Sequence, residues 1–262
     1  MNIDKGDFKV LFLPWHKYMD LKWIPNRDKR VGNIAYPFFD KTTIQAENVE
    51  MPGIYSQSSD PIQEYISFLL QNREKINNFG ELVAPLNVKY ILLTKEVDYQ
   101  KYFFLFNQTD MELVKETQNF YVFENKKEAV KIYEVDRLRY VWDWTDLLII
   151  SKTEDITKEV YLIGNYSNET VISERQALSY TKVSPISYKL NSSPTKNYLI
   201  FTEGYSKYWR LDNKKPIKNL GVTNAYELDK MEPMDLEYKR FEVYLIGYSI
   251  SAISFLMLIC YI

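Results

Sequence analysis

Side chains able to do chemistry are few in this sequence, and their spacing narrows what it can be. There is one His, His16, and one Cys, Cys260, in 262 residues. No disulfide can form within the chain, and a Cys/His zinc site or a Ser–His–Asp relay away from His16 is excluded. His16 follows Pro14-Trp15 at the end of an apolar run and reads as a strand-end residue rather than a base. Asp143 and Asp146, beside Trp142 and Trp144, imitate a glycosidase acid/base pair. Glycosidase carboxylates, however, usually come from distant strands at a defined separation, and two acids so close in sequence are commonplace. With 8 Gly in all, the chain has neither a GxGxxG nor a GxxxxGKS/T phosphate loop. No metal or cofactor site is expected. The 33 basic and 35 acidic residues leave a net charge of −2 and no basic block to attract nucleic acid.

Carboxylates and aromatic faces are what remain. The chain holds 22 Tyr. Such a surface suits sugars or protein contacts, but Tyr also simply favours strands.

The elements that must position these groups differ between the two halves. Residues 8–15 (FKVLFLPW) read as a buried strand, and 20–58 as irregular structure. Asp60-Pro61 begins a helix, with Ile62, Tyr65, Ile66 and Leu69 at helical spacing. A short helix at 77–85 leads to the strand VKYILL, residues 88–93. Residues 99–106 are helical in pattern, 111–115 and 119–124 form a hairpin, and 131–140 is one further strand. From about 155 onward, short strands at 159–163, 169–173, 178–182, 186–190, 197–201, 208–211, 223–228 and 234–238 predict an antiparallel sandwich. The fold class is α+β: a mixed α/β part over 1–145, a β-sandwich over 146–240, and a transmembrane helix over 241–262. The junction falls at 141–157.

No residue after Glu242 is charged, and Val243–Ile262 spans roughly 30 Å as a helix, about a bilayer's hydrocarbon thickness. The alternative is a buried core helix, which usually carries a polar stripe. Gly247, Ser251 and Ser254 share one face, and small residues let helices pack closely in lipid. That face is the expected contact with other membrane helices. No signal-like segment opens the sequence. Lys239 and Arg240 before the span therefore suggest a cytoplasmic domain held by a C-terminal anchor.

Three phrases of the strand-rich half carry a family resemblance: NYLIFTEGYSKYWRL (197–211), NLGVTNAYEL (219–228) and MDLEYKRFEVYLIGYSIS (234–251). They resemble the end of GT-C-type, glycosyltransferase-like polytopic membrane proteins of bacteria and archaea. ELVAPLNVKYILL (81–93) and ETQNFYVFENKKEAVKIYEV (116–135) are similar to the preceding part of the same extracytoplasmic domain. The resemblance implies a C-terminal domain plus last helix without the catalytic membrane portion, coded separately or left by a truncated gene. It also implies a domain outside the cytoplasm; that is the expected location, over the Lys239/Arg240 reading, because two charges weigh little beside a large domain.

Glu203, Tyr205, Trp209 and Asn224 match the family phrase. They are the candidate edge for a sugar or lipid headgroup, with aromatic faces to stack and a carboxylate and an amide for hydroxyls. The competing reading packs Trp209 and Tyr205 into the sandwich and uses Glu203 and Asn224 to satisfy a turn. The expected function is a membrane-anchored, non-catalytic accessory domain, single-pass in the cell membrane. Its expected partners are the lipid bilayer, a polytopic membrane protein, and a glycan or lipid-linked sugar. The alternatives are a carboxylate-dependent glycosyltransferase or glycosidase and a purely structural subunit of a membrane complex.

Overall fold

The run FKVLFL becomes β1 (Lys9–Leu13), buried along its whole length in the computed structural model. The structure describes residues 4–26, 28, 32–33, 35–51, 54–56, 60–164, 174–229, 232 and 234–261. Leu11 and Leu13 join one apolar core with Tyr65, Ile66 and Leu69, while Val10 and Phe12 join another with Met19 and Leu21. Coverage on both faces is the usual setting of parallel strands. Next come α1 (Ala35–Phe38), β2 (Thr42–Ile44) and the hairpin of β3 (Val49–Met51) and β4 (Ile54–Ser56). The stretch expected to be irregular thus holds four elements, each too short to show a period in sequence.

In α2 (Pro61–Gln71), the Asp60 side chain accepts the Ile62 N–H at 3.0 Å, and Pro61 occupies the first turn. Then follow α3 (Phe79–Val83), β5 (Val88–Thr94), a 3-10 segment over Tyr99–Asn107, and the hairpin of β6 (Met111–Glu116) and β7 (Phe120–Asn125). Strand order is β2-β1-β5-β7-β6, with β2, β1 and β5 mutually parallel and β7 antiparallel to both neighbours.

The stretch 131–140 is not one strand. It divides into β8 (Ile132–Val135) and β9 (Leu138–Val141), which lie in different sheets. Strand β9 continues through α4 (Trp144–Ile150) to β10 (Val160–Ile163), its parallel partner. The remaining strands are β11 (Gln176–Ala177), β12 (Tyr180–Ser184), β13 (Ser187–Leu190), β14 (Tyr198–Gly204), β15 (Trp209–Leu211), β16 (Ile217–Asn219), β17 (Thr223–Glu227) and β18 (Asp235–Tyr238). The strand expected at 169–173 lies outside the described residues.

Two antiparallel sheets, β11-β8-β14-β17-β16 and β12-β13-β18-β15, form the sandwich. Leu199, Phe201, Tyr226 and Ile132 of the first meet Tyr188, Leu190, Leu211 and Leu236 of the second. Fully burying each such side chain is worth about 1.5–3 kcal/mol, which makes this layer a principal source of stability.

The boundary expected at 145/146 does not coincide with a break in packing. Strand β8, before it, pairs with β14. The α4 segment, after it, returns to the N-terminal half: Trp144 packs 5.4 Å from the Tyr65 ring and 5.5 Å from Phe68. Leu147, Ile156 and Tyr161 belong to the same core as α2. Buried Glu81 ties the halves further, accepting the Ile156 N–H at 2.7 Å and pairing with Lys127 at 2.6 Å.

After β18 the chain turns into α5 (Arg240–Tyr261). Nine large side chains on it, from Tyr244 to Ile259, are 49–72% exposed. Among the described residues, no helix is long and apolar enough to cross a membrane. For seven residues of α5, including Leu256, Leu258 and Cys260, the backbone alone is described. The fold is mixed α+β with antiparallel sheets.

Candidate functional site

Strand β14 runs regularly against β17 from Tyr198 to Phe201, then slips register before Gly204. A bulge of this kind re-aims side chains. Asn224, fully buried on β17, clamps the slip: its amide donates to Glu203 O (2.8 Å) and Gly204 O (3.2 Å), and its Oδ1 accepts the Ser206 N–H (3.1 Å).

Glu203 points between two lysines. Its Oε2 lies 3.0 Å from Lys9 Nζ, and its Oε1 lies 2.5 Å from Lys131 Nζ. Lys9 is 2% and Lys131 3% exposed. Lys9 also donates to Thr202 O at 2.8 Å. Lys131 reaches Asp7 at 3.2 Å, and Asp7 accepts the Tyr180 hydroxyl at 3.0 Å. Two cations thus meet two carboxylates, so the buried charge is balanced. Burial alone would raise the Glu203 carboxyl, but Lys9 and Lys131 overcome it and hold the group at about 2. Burial lowers Lys9, with Glu203 opposing. For Lys131 burial acts downward too, but Glu203 and Asp7 outweigh it and raise the ammonium.

The carboxylate's depressed pKa sets a pH dependence. Between its ordinary 4.5 and about 2, the unfolded chain binds the proton more readily than the folded one. The Glu203 contribution is therefore full above pH 4.5 and fades as pH falls towards 2, amounting to about 3 kcal/mol. Thermal unfolding followed by Trp fluorescence should show an acid limb in that window that is shallower in Glu203→Gln. Coincident pH profiles for the two proteins would contradict this origin.

In front of this cluster lies a groove of about 570 Å³, lined by Asp60, Lys131, Tyr188, Glu203, Tyr205, Ser206, Trp209 and Tyr238 among others. The Trp209 ring lies 4.8 Å from Phe201 and 5.2 Å from Tyr238, anchored in the sandwich core with an edge on the groove. Tyr205 is half-buried, with Lys218 Nζ 5.5 Å from its ring. Three of the four residues singled out in the sequence therefore share the groove wall, while Asn224 sits behind them as a clamp. Sequence reasoning missed Lys9, Lys131, Asp7 and Asp60. The signal for Lys9 was present: a lysine within FKVLFL, a run too apolar to have a solvent face.

The other sequence candidates are structural. Asp143 accepts the Thr145 N–H at 2.6 Å and Asp146 the Trp142 N–H at 2.8 Å, a reciprocal cap on α4. His16 Nε2 pairs with Asp98 at 3.0 Å, tying the end of β1 to the loop after β5. On α5, Ser251 and Ser254 donate to Gly247 O and Ile250 O, each at 2.9 Å, and a Cβ added at Gly247 would meet nothing within 4 Å. The expected packing face is therefore bare in the isolated chain. Among the described residues no group of His, Cys, Asp or Glu is arranged to hold a metal. No family model, curated protein or solved structure matches this chain.

Proposed function

We propose that the chain is a membrane-anchored accessory domain without catalytic machinery of its own. In this reading α5 spans a bilayer, and the groove beside Glu203 contacts a glycan or lipid-linked sugar at the bilayer surface. The observation that carries it is continuity: β18, whose Tyr238 lines the groove, leads straight into a helix studded with exposed apolar side chains. Exposed apolar surface on that scale marks a contact with membrane or partner. Ser249, Ser251 and Ser254 each return their hydroxyl to the carbonyl four residues back, so none of these three hydroxyls needs water. At the helix start, the Arg240 guanidinium lies 5.1 Å from the Tyr208 ring and 5.5 Å from the Tyr244 ring. Tyr and basic residues together suit a membrane–water interface. The GT-C resemblance supports a domain outside the cytoplasm and implies a polytopic partner for the Gly247/Ser251/Ser254 face.

The test is binding of the full chain in lipid nanodiscs, with and without an embedded lipid-linked disaccharide. Binding that needs the saccharide and weakens severalfold in Tyr205→Ala supports the reading. An equal response to saccharide-free discs contradicts it.

One observation favours a second reading, a carboxylate-dependent glycosyltransferase or glycosidase. Glu203 and Asp60 line the same groove with carboxyls pushed in opposite directions, Glu203 down by its lysines and Asp60 up by burial. Such a split is how acid and base roles are divided in carboxylate enzymes. Sugar release by the wild type that is lost in both Asp60→Asn and Glu203→Gln would establish this reading over the first.

A further inference from the structure

The far end of β14 carries a second, larger groove. Its Tyr198 end lies roughly 20 Å along the strand from Gly204 and the Glu203 groove. The groove encloses about 720 Å³, within the range of small-molecule sites. Its exposed lining is mainly polar, so it does not suit a lipid chain.

Buried groups that make no contact with the groove's contents hold its walls. Glu134, fully buried, accepts Thr195 N–H (2.6 Å), Thr195 Oγ1–H (2.7 Å) and Lys196 N–H (3.2 Å). That fixes the loop carrying Asn197, whose amide donates to Asp136 O at 3.1 Å. On the floor, the charge of Arg139 is used internally: it meets Glu154 at 2.8 Å and Glu159 at 2.7 Å. Arg137 differs. It lines the same groove half-buried, and among the described residues its guanidinium makes no ion pair within 4 Å.

A partly desolvated guanidinium held in no close ion pair, with Glu159 acting on it only at longer range, on a wall fixed by other groups, is a fork for a planar anion. The surroundings restrict that anion. Asp136, Glu159 and Glu227 also line the groove, and carboxylates repel a bare anion. They accept hydroxyl hydrogens, as do the Asn197 amide oxygen and the Tyr198 hydroxyl. Burial raises the Tyr198 phenol, which keeps its proton and can also donate.

We infer that this groove binds a small polyhydroxylated carboxylate of the sugar-acid type, its carboxylate on Arg137 and its hydroxyls on Asn197, Tyr198 and Glu227. This site is separate from the Glu203 groove and does not depend on the membrane reading.

The test titrates the full chain in detergent with D-glucuronate, D-glucose and inorganic phosphate. Glucuronate should bind about tenfold or more tightly than either of the others, the worth of one charge-assisted hydrogen-bonded pair. Arg137→Ala should bring glucuronate down to the glucose level. Arg137→Lys should fall between, because an ammonium cannot fork. With no ion pair to lose, these variants should unfold at the wild-type midpoint. Phosphate binding as tight as glucuronate would reduce the site to a plain anion contact and overturn the inference. So would glucuronate binding that survives Arg137→Ala.

Discussion

Glu203→Gln lowers the unfolding free energy by about 3–5 kcal/mol at neutral pH, the usual cost of removing one partner from a buried ion pair. The reason is what the substitution leaves behind. Lys131 keeps Asp7 at 3.2 Å, but Lys9, 2% exposed, loses the carboxylate oxygen 3.0 Å away. A buried ammonium with only the Thr202 carbonyl to bind must deprotonate or draw in water. The loss should therefore belong to Lys9 more than to Glu203. Adding Lys9→Met removes the stranded charge, and the double variant should recover at least half of the deficit. A double-mutant cycle by urea unfolding reads this as a coupling energy of about 2 kcal/mol or more. A double variant that loses the simple sum of the two single losses would mean that the pair is not the unit holding β1 to β14.

The second large effect concerns α5. Ile250 and Ile253, 59% and 53% exposed, lie near the middle of the uncharged stretch. Changing both to Arg should move the protein from the membrane fraction to the soluble one. Each Arg at a bilayer centre costs about 2.5–3.5 kcal/mol on insertion scales, so the pair shifts partitioning by several thousandfold or more. Exposed arginines on a helix in water carry no such cost. If the doubly substituted chain fractionated like the wild type, α5 would not be in lipid.

Legibility followed the range of the interactions involved. Helix α2 was readable because its start is encoded locally: Asp60 caps it, Pro61 fills the first turn, and Ile62, Tyr65, Ile66 and Leu69 repeat on one face. The β6–β7 hairpin and most sandwich strands were readable for the same reason. The divide at Asp136-Arg137 was not, because what splits 131–140 is a change of partner, β14 for one piece and β10 for the other. Helix α4 was also hidden. Its seven residues are too few to show a period, and its caps, Asp143 and Asp146, resembled a catalytic pair.

The candidate site divides along the same line. Glu203, Tyr205 and Trp209 lie within one strand-and-loop phrase, so a local motif found them together. The lysines that fix the charge of Glu203 come from β1 and the start of β8. The Lys9–Thr202 bond alone spans 193 residues of chain. Only the folded sheets bring those ends together.

Whether α5 holds the domain at a bilayer surface is tested most directly by protease shaving of sealed cells expressing the full chain. The predicted result is a domain degraded by protease added outside while a cytoplasmic control survives, with a fragment the size of α5 left in the membrane pellet. A chain that washes off the membrane intact, or a domain protected until the cells are opened, would contradict it.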